Sequence, residues 1–168
     1  VALELALRFP SQVGRLVLMG AEASFHSAPA TAVARRVLEQ FPLRGNSWFV
    51  NQFFNLLHGN RLDPGPISEH IVSRCWETDQ GVIASRLRAL ESFDVSDELW
   101  QLDVPTLVFA GSRDVIVSPD HQRSLAESIS GARFEPVMGA GHVGFLTHRV
   151  ELVRVLARWL RAKSGSFL

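Results

Sequence analysis

Two short segments constrain the fold of this chain more than any other feature: Pro105-Thr-Leu-Val-Phe-Ala-Gly-Ser-Arg-Asp114 and, downstream, Gly139-Ala-Gly-His142. The first is a brief apolar run led in by proline and closed by glycine, the pattern of a strand buried on both faces. An aspartate follows just past its carboxyl end. The second delivers a histidine on a glycine-rich loop, directly after the strand-like run Arg133-Phe-Glu-Pro-Val-Met138. In a parallel α/β sheet, ligands and chemistry gather at the carboxyl ends of the strands. An aspartate and a histidine presented there are two members of a nucleophile–base–acid triad.

The rest of the chain fits the same layered plan. Val1 to Phe9 has helical apolar spacing but opens without Ser, Thr, Asp or Asn to cap its free backbone donors. Leu16-Val-Leu-Met19 is a continuous apolar strand. Ala28 to Phe93 contains no strand pattern and is expected to form helices over Ala32 to Phe41, Trp48 to Leu57, Ile67 to Trp76 and Gln80 to Phe93. Asp63-Pro-Gly-Pro66 breaks this region and places Pro66 to start a helix. After Pro105 the pattern alternates again. Ser118-Pro119 starts a helix that Gly131 is expected to cap, Ala132 to Val137 forms the last strand, and Val150, Val153, Leu156, Ala157 and Leu160 recur at the spacing of an amphipathic helix.

Taken in order, these segments resemble the α/β-hydrolase family over nearly the whole chain. Val1-Ala-Leu-Glu-Leu-Ala-Leu-Arg-Phe-Pro10 with Val13-Gly-Arg-Leu-Val-Leu-Met-Gly20 is similar to the helix after the nucleophile and the strand that follows it. Val104 to Asp114, with Val117-Ser-Pro119 behind it, resembles the segment of the catalytic acid, and Ala140-Gly-His142 resembles that of the catalytic histidine. The order of acid then histidine agrees with the family order Ser, Asp/Glu, His. No Gly-x-Ser-x-Gly occurs in the sequence. The resemblance implies a partial α/β-hydrolase fold: a three-stranded parallel half-sheet built from residues 1–27 and 94–168, with a helical cap, 28–93, inserted over the active site. It also implies that the nucleophile elbow would lie before Val1.

Composition sets outer limits. The 168 residues suit one domain with a real core, and 46% hydrophobic with 20% charged residues describes a globular chain. Seventeen basic and seventeen acidic residues leave no net charge to favour nucleic acid or a membrane surface. The cluster Arg149, Arg154, Arg158, Arg161 and Lys163 suits the exposed face and last turn of a helix. A single cysteine, Cys75, excludes an intrachain disulfide and a cysteine-based zinc site. No apolar run approaches the ~18 residues of a membrane span, and no signal peptide is visible, so a cytoplasmic protein without cofactor or metal is expected.

His142 is the candidate general base, with Gly141 and Gly144 permitting close approach of the backbone. Asp114 is the candidate acid that orients it, although Gly-Ser-Arg-Asp is also good turn chemistry on its own. Glu22, after the strand ending at Met19, is the alternative acid. Ser24, Ser112 and Cys75 are the nucleophiles to consider, but none is expected on a sharp strand-to-helix turn. His26, His58, His70, His121 and His148 show no metal-ligand spacing. The aromatic residues Trp48, Phe49, Phe53, Phe54 and Trp76 pack the cap or line a pocket beneath it.

Three functions are compatible with this pattern. One is an ester- or lactone-type hydrolase whose nucleophile this chain lacks, inactive on its own. The second is a non-catalytic interaction or assembly module, and the third a small-molecule binding module using the space under the cap. The strand Arg15 to Met19 would be an apolar sheet edge without charges, prolines or bulges, and Leu3, Leu5, Leu7 and Phe9 of the opening helix would be exposed in part. A homodimer through that edge or through the opening helix is therefore expected.

Overall fold

The computed structural model describes residues 1–26, 29–41 and 66–161. Its centre is a three-stranded parallel sheet in the order β1 (Leu16–Met19), β2 (Thr106–Gly111), β3 (Arg133–Val137). Leu16 pairs with Thr106 and Met19 with Phe109, while Leu107 pairs with Arg133 and Gly111 with Val137. All six residues of β2 are buried, as the middle of a covered sheet requires. Pro136 is tolerated in β3 because, among the described residues, that strand pairs only with β2, an edge position where proline's missing donor is accommodated.

Alternation along β2 divides the core into two layers. Val108 packs with Leu3 and Ala6 of α1 (Ala2–Arg8), with Leu16 and Leu18, and with Leu125 and Ala126 of the helix after β2. Leu107 and Phe109 point to the other face and meet Val137, Ala140 and Trp159 of the last helix. Arg15 closes the edge of this second layer, with its guanidinium 5.1 Å from the centre of the Trp159 ring and its Nη1 donating to the Trp159 carbonyl at 3.0 Å.

Between β1 and β2 the described residues form α2 (Pro29–Gln40), α3 (Pro66–Glu77) and α4 (Gln80–Glu91), followed by a 3₁₀ segment, Ser96–Gln101, that the apolar pattern does not reveal. The expected helix over Trp48 to Leu57 lies outside the described residues, as do the side chains of Cys75 and Trp76. Arg35 of α2 donates through Nε to both carboxylate oxygens of Glu91, at 2.9 and 3.0 Å, and Glu39 joins Arg35 to Arg88. These contacts clamp α2 to α4.

After β2 come α5 (Pro119–Glu127), a four-residue α6 (Gly144–Thr147) and α7 (Arg149–Arg161). Ser118 caps α5 by accepting the His121 N–H at 3.1 Å, and Pro119 occupies the first helical position. Two sequence expectations need correction. Helix α5 ends at Glu127, with Ser128 as its cap, so Gly131 (φ +67°) serves the turn into β3 rather than the helix end. In α1, Leu3 is buried against the core rather than exposed in part, while Leu7 is half-buried and Leu5 and Phe9 are exposed.

Candidate active site

The site lies where β1, β2 and β3 end. β2 stops at Gly111, and the turn through Ser112 and Arg113 carries Asp114 back over the strand end, its N–H donating to the Gly111 carbonyl at 3.0 Å. Three hydrogen bonds bind this turn to the loop after β3. The Ser112 N–H donates to Val137 O, the Arg113 N–H to Ala140 O, and the Gly139 N–H to Ser112 Oγ. Gly111 sits where the two loops cross. A Cβ placed there would lie 2.5 Å from the carbonyl oxygens of Ala140 and Gly141, so the crossing requires glycine. Gly139, at φ +80°, then turns the chain so that His142 faces Asp114.

His142 Nδ1 lies 3.0 Å from Asp114 Oδ2, and the aspartate side chain is almost wholly buried while the imidazole is about a quarter exposed. The other carboxylate oxygen, Oδ1, accepts the N–H groups of Ile116 and Val117, both at 2.9 Å. The two oxygens of this one carboxylate thus have different partners, turn N–H groups for Oδ1 and the imidazole for Oδ2. Oδ1 shapes the turn, and Oδ2 is left to hold the imidazole. Among the described residues no group hydrogen-bonds His142 Nε2. A ring fixed through Nδ1 with Nε2 unengaged is the arrangement a general base needs.

Glu22 is not part of this pair. Its Oε1 lies 2.6 Å from His121 Nδ1, on the exposed first turn of α5. Ser24 and Asp94 form an isolated bridge, and His26 Nδ1 is 3.1 Å from Ser24 Oγ and 3.4 Å from Asp94 Oδ2. This exposed Ser–His–Asp group is not a triad, because serine and aspartate share one ring nitrogen instead of taking opposite ones. Hydrogen bonds from the Ser96 backbone and side chain hold the Asp94 carboxyl below its ordinary value. Ser112 Oγ is engaged by Gly139, as described. The small void bounded by Met19, Gly20, Phe109, Gly111, Asp114 and His142 measures about 10 Å³, at most the size of one water and too small for a substrate. Among the described residues no group of His, Cys, Asp and Glu side chains could hold a metal ion, and no helix is long and apolar enough to cross a membrane.

Sequence reasoning missed Gln122. Wholly buried on α5, it donates from Nε2 to Val117 O (2.9 Å) and to Asp114 Oδ2 (3.3 Å), and its Oε1 accepts the Gly20 N–H at 2.9 Å. The available signal was a polar residue at an inward position, three and four residues before the buried Leu125 and Ala126.

Comparison with known proteins agrees with this architecture. The chain is 29% identical over 167 residues to the hydrolase RutD of Pseudomonas syringae pv. syringae, covering 95% of this chain and 63% of that protein. It is 33% identical over 98 residues to the pimeloyl-[acyl-carrier protein] methyl ester esterase of Stenotrophomonas maltophilia, over 58% of this chain and 38% of that one. The crystal structure of an enol-lactonase from Burkholderia xenovorans superposes with a TM-score of 0.83 at 20% identity, over 96% of this chain and 61% of that chain. The chain shares the fold of the α/β-hydrolases and is similar to members of that family over most of its length. No protein-family model matches it. The chain spans less than two thirds of the length of the RutD and lactonase relatives.

Proposed function

We propose that this chain supplies the acid–base pair of an ester- or lactone-type α/β-hydrolase, with Asp114 orienting His142 and His142 exchanging the proton of the nucleophile and leaving group. The observation that carries this reading is the 3.0 Å contact between Asp114 Oδ2 and His142 Nδ1 at adjacent strand ends, with Nε2 unengaged among the described residues. In such chemistry Nε2 takes the nucleophile's proton as an acyl-enzyme forms and later returns one to the leaving group. The serines near the strand ends, Ser24 and Ser112, are both engaged elsewhere. Helices α2 to α4 would act as the cap over this site.

Hydrolysis of p-nitrophenyl esters tests the proposal, using the 168-residue chain and the longest in-frame product that contains it. The chain alone is expected to match the buffer rate. A product that carries Gly-x-Ser-x-Gly is expected to turn over, and Asp114→Asn to lower its kcat by roughly 10⁴-fold, as loss of the orienting acid does in serine hydrolases. Turnover by the 168-residue chain that vanished in His142→Ala would instead require a nucleophile within it and would return attention to Ser24 and Ser112.

A second, non-catalytic role in assembly is favoured by a separate observation. Among the described residues β1 pairs only with β2, Val17 of that strand is 39% exposed, and Leu5 and Phe9 of the opening helix region are 46% and 51% exposed. An open apolar edge is a template for another strand, and a two-fold dimer covers both copies with one surface. Sedimentation at tens of micromolar should show a dimer that Val17→Lys dissociates. A compact monomer at that concentration refutes this role.

A further inference from the structure

We propose that Gln122 is a positioning residue for the Asp114–His142 pair, holding both the carboxylate and the glycine turn against which the imidazole rests. The inference builds on the assignment of Asp114 and His142 as the acid–base pair. A carboxamide has one acceptor oxygen and one donor nitrogen carrying two protons, and Gln122 uses all of these groups within the site. Its oxygen accepts the Gly20 N–H at 2.9 Å, and its nitrogen donates to Val117 O at 2.9 Å and to Asp114 Oδ2 at 3.3 Å.

Each of these three partners touches the imidazole or holds the residue that does. Gly20 directly follows β1, and a Cβ there would fall 2.6 Å from His142 Cε1 and 2.9 Å from Nδ1, so the ring lies against its backbone. Asp114 Oδ2 is the oxygen that meets His142 Nδ1. Val117 donates its N–H to Asp114 Oδ1 while its carbonyl accepts from Gln122. One buried side chain therefore connects the end of β1, the turn after β2 and the acid. The Nε2 donor occupies a lone pair of Oδ2 that His142 leaves free, which stops the carboxylate from rotating about its Oδ1 bonds. An aliphatic residue of similar volume would fill the space but release all three contacts. Glutamate would keep an acceptor for Gly20 and turn a second oxygen toward Oδ2 and the Val117 carbonyl, opposing the acid directly.

The test uses NMR of the 168-residue chain labelled at histidine and glutamine, which needs no turnover. In the wild type the His142 Nδ1 proton should give a resolved, slowly exchanging resonance. The Gln122 carboxamide protons should exchange at least ~10-fold more slowly than those of free glutamine. Exchange of the wild-type carboxamide at the free rate overturns the proposal even if no variant folds. Gln122→Met and Gln122→Glu should each lose the His142 resonance, while Leu125→Ala, which destabilises the same helix, should keep it. Folded Gln122 variants that retain the resonance overturn the positioning role, and so does its loss in Leu125→Ala, which would make the effect one of general stability. Asp114→Asn separates the two levels of inference. If it leaves the resonance unchanged, the acid–base pair itself falls and the Gln122 proposal with it. If it removes the resonance while the Gln122 variants do not, only the Gln122 proposal falls.

Discussion

The imidazole of His142 rests on the backbone of Gly20, so closely that a methyl group on that glycine would lie 2.6 Å from Cε1. Gly20 also has φ +58°, a conformation that side chains disfavour. Two other glycines separate these effects. Gly131 has φ +67° with open space around it, and Gly111 meets two carbonyl oxygens at 2.5 Å without a positive φ. Gly131→Ala should therefore cost only the backbone term, about 1–2 kcal/mol, or roughly 2–8 °C in Tm for a chain of this size. Gly20→Ala should cost more and displace His142, and Gly111→Ala should displace the histidine loop. Gly14→Ala, where nothing lies within 4 Å, serves as the control and should change Tm little. Equal melting temperatures for all four variants would show that the ring and loop contacts are not close-packed.

Much of this site was legible because its parts are sequence-local. The Pro105 to Asp114 segment declares a buried strand with a carboxylate just past its end, and Gly139 to His142 a turn that presents an imidazole. Gly20, Gly111 and Gln122 are different. Their roles depend on contacts across the ends of separate strands and on packing between elements distant in sequence, which no periodicity encodes. The 3₁₀ segment Ser96–Gln101 was hidden for a related reason: it is too short to show a helical apolar period, and only Leu99 in it is buried. The early end of α5 reflects competing caps, since Ser128 closes the helix before Gly131 is reached.

The clamp between α2 and α4 should weaken in acid. The Glu39 carboxyl is held below its ordinary value of 4.5, first by the hydrogen bond from Arg88 and then by the charges of Arg35 and Arg88. A carboxyl lowered by folding contributes stability above its unfolded pKa and loses it as pH falls through the folded one. Arg35 is raised, chiefly by its hydrogen bond to Glu91. Its contribution is complete everywhere below its unfolded pKa and does not vary in acid. Glu39→Gln should therefore lower Tm at pH 7, and the difference from wild type should shrink steadily below about pH 4.5. A difference that stayed constant from pH 7 to pH 3 would remove the carboxylate from the account.

Capping of α5 is a separate test, because that helix carries Gln122. Ser118→Ala removes the acceptor for the His121 N–H and should cost about 1 kcal/mol, or roughly 2–4 °C in Tm. Ser24→Ala removes a hydroxyl from the exposed Ser24–His26–Asp94 group and should stay within about 0.5 kcal/mol of wild type, the usual range for surface changes. If the order were reversed, the exposed group would be the structural one.

The divided carboxylate of Asp114 makes the sharpest prediction. In Asp114→Ala, the N–H groups of Ile116 and Val117 lose their acceptor, and a partly buried orphan donor costs about 1–3 kcal/mol. Asp114→Asn is different, because the amide oxygen can keep both of those bonds while the nitrogen replaces Oδ2 beside His142 and gives up only the longer contact from Gln122. Asparagine should therefore preserve most of the melting temperature that alanine loses. The amide nitrogen is a donor, however, so His142 Nδ1 must now accept, and the ring proton must move to Nε2. Nitrogen-15 spectra of the neutral imidazole should show the Nδ1–H tautomer in the wild type and the Nε2–H tautomer in Asp114→Asn. Glu22→Gln should leave the wild-type tautomer in place, since Glu22 pairs with His121. If Glu22→Gln rather than Asp114→Asn changed the His142 tautomer, Glu22 would be the acid that orients the base.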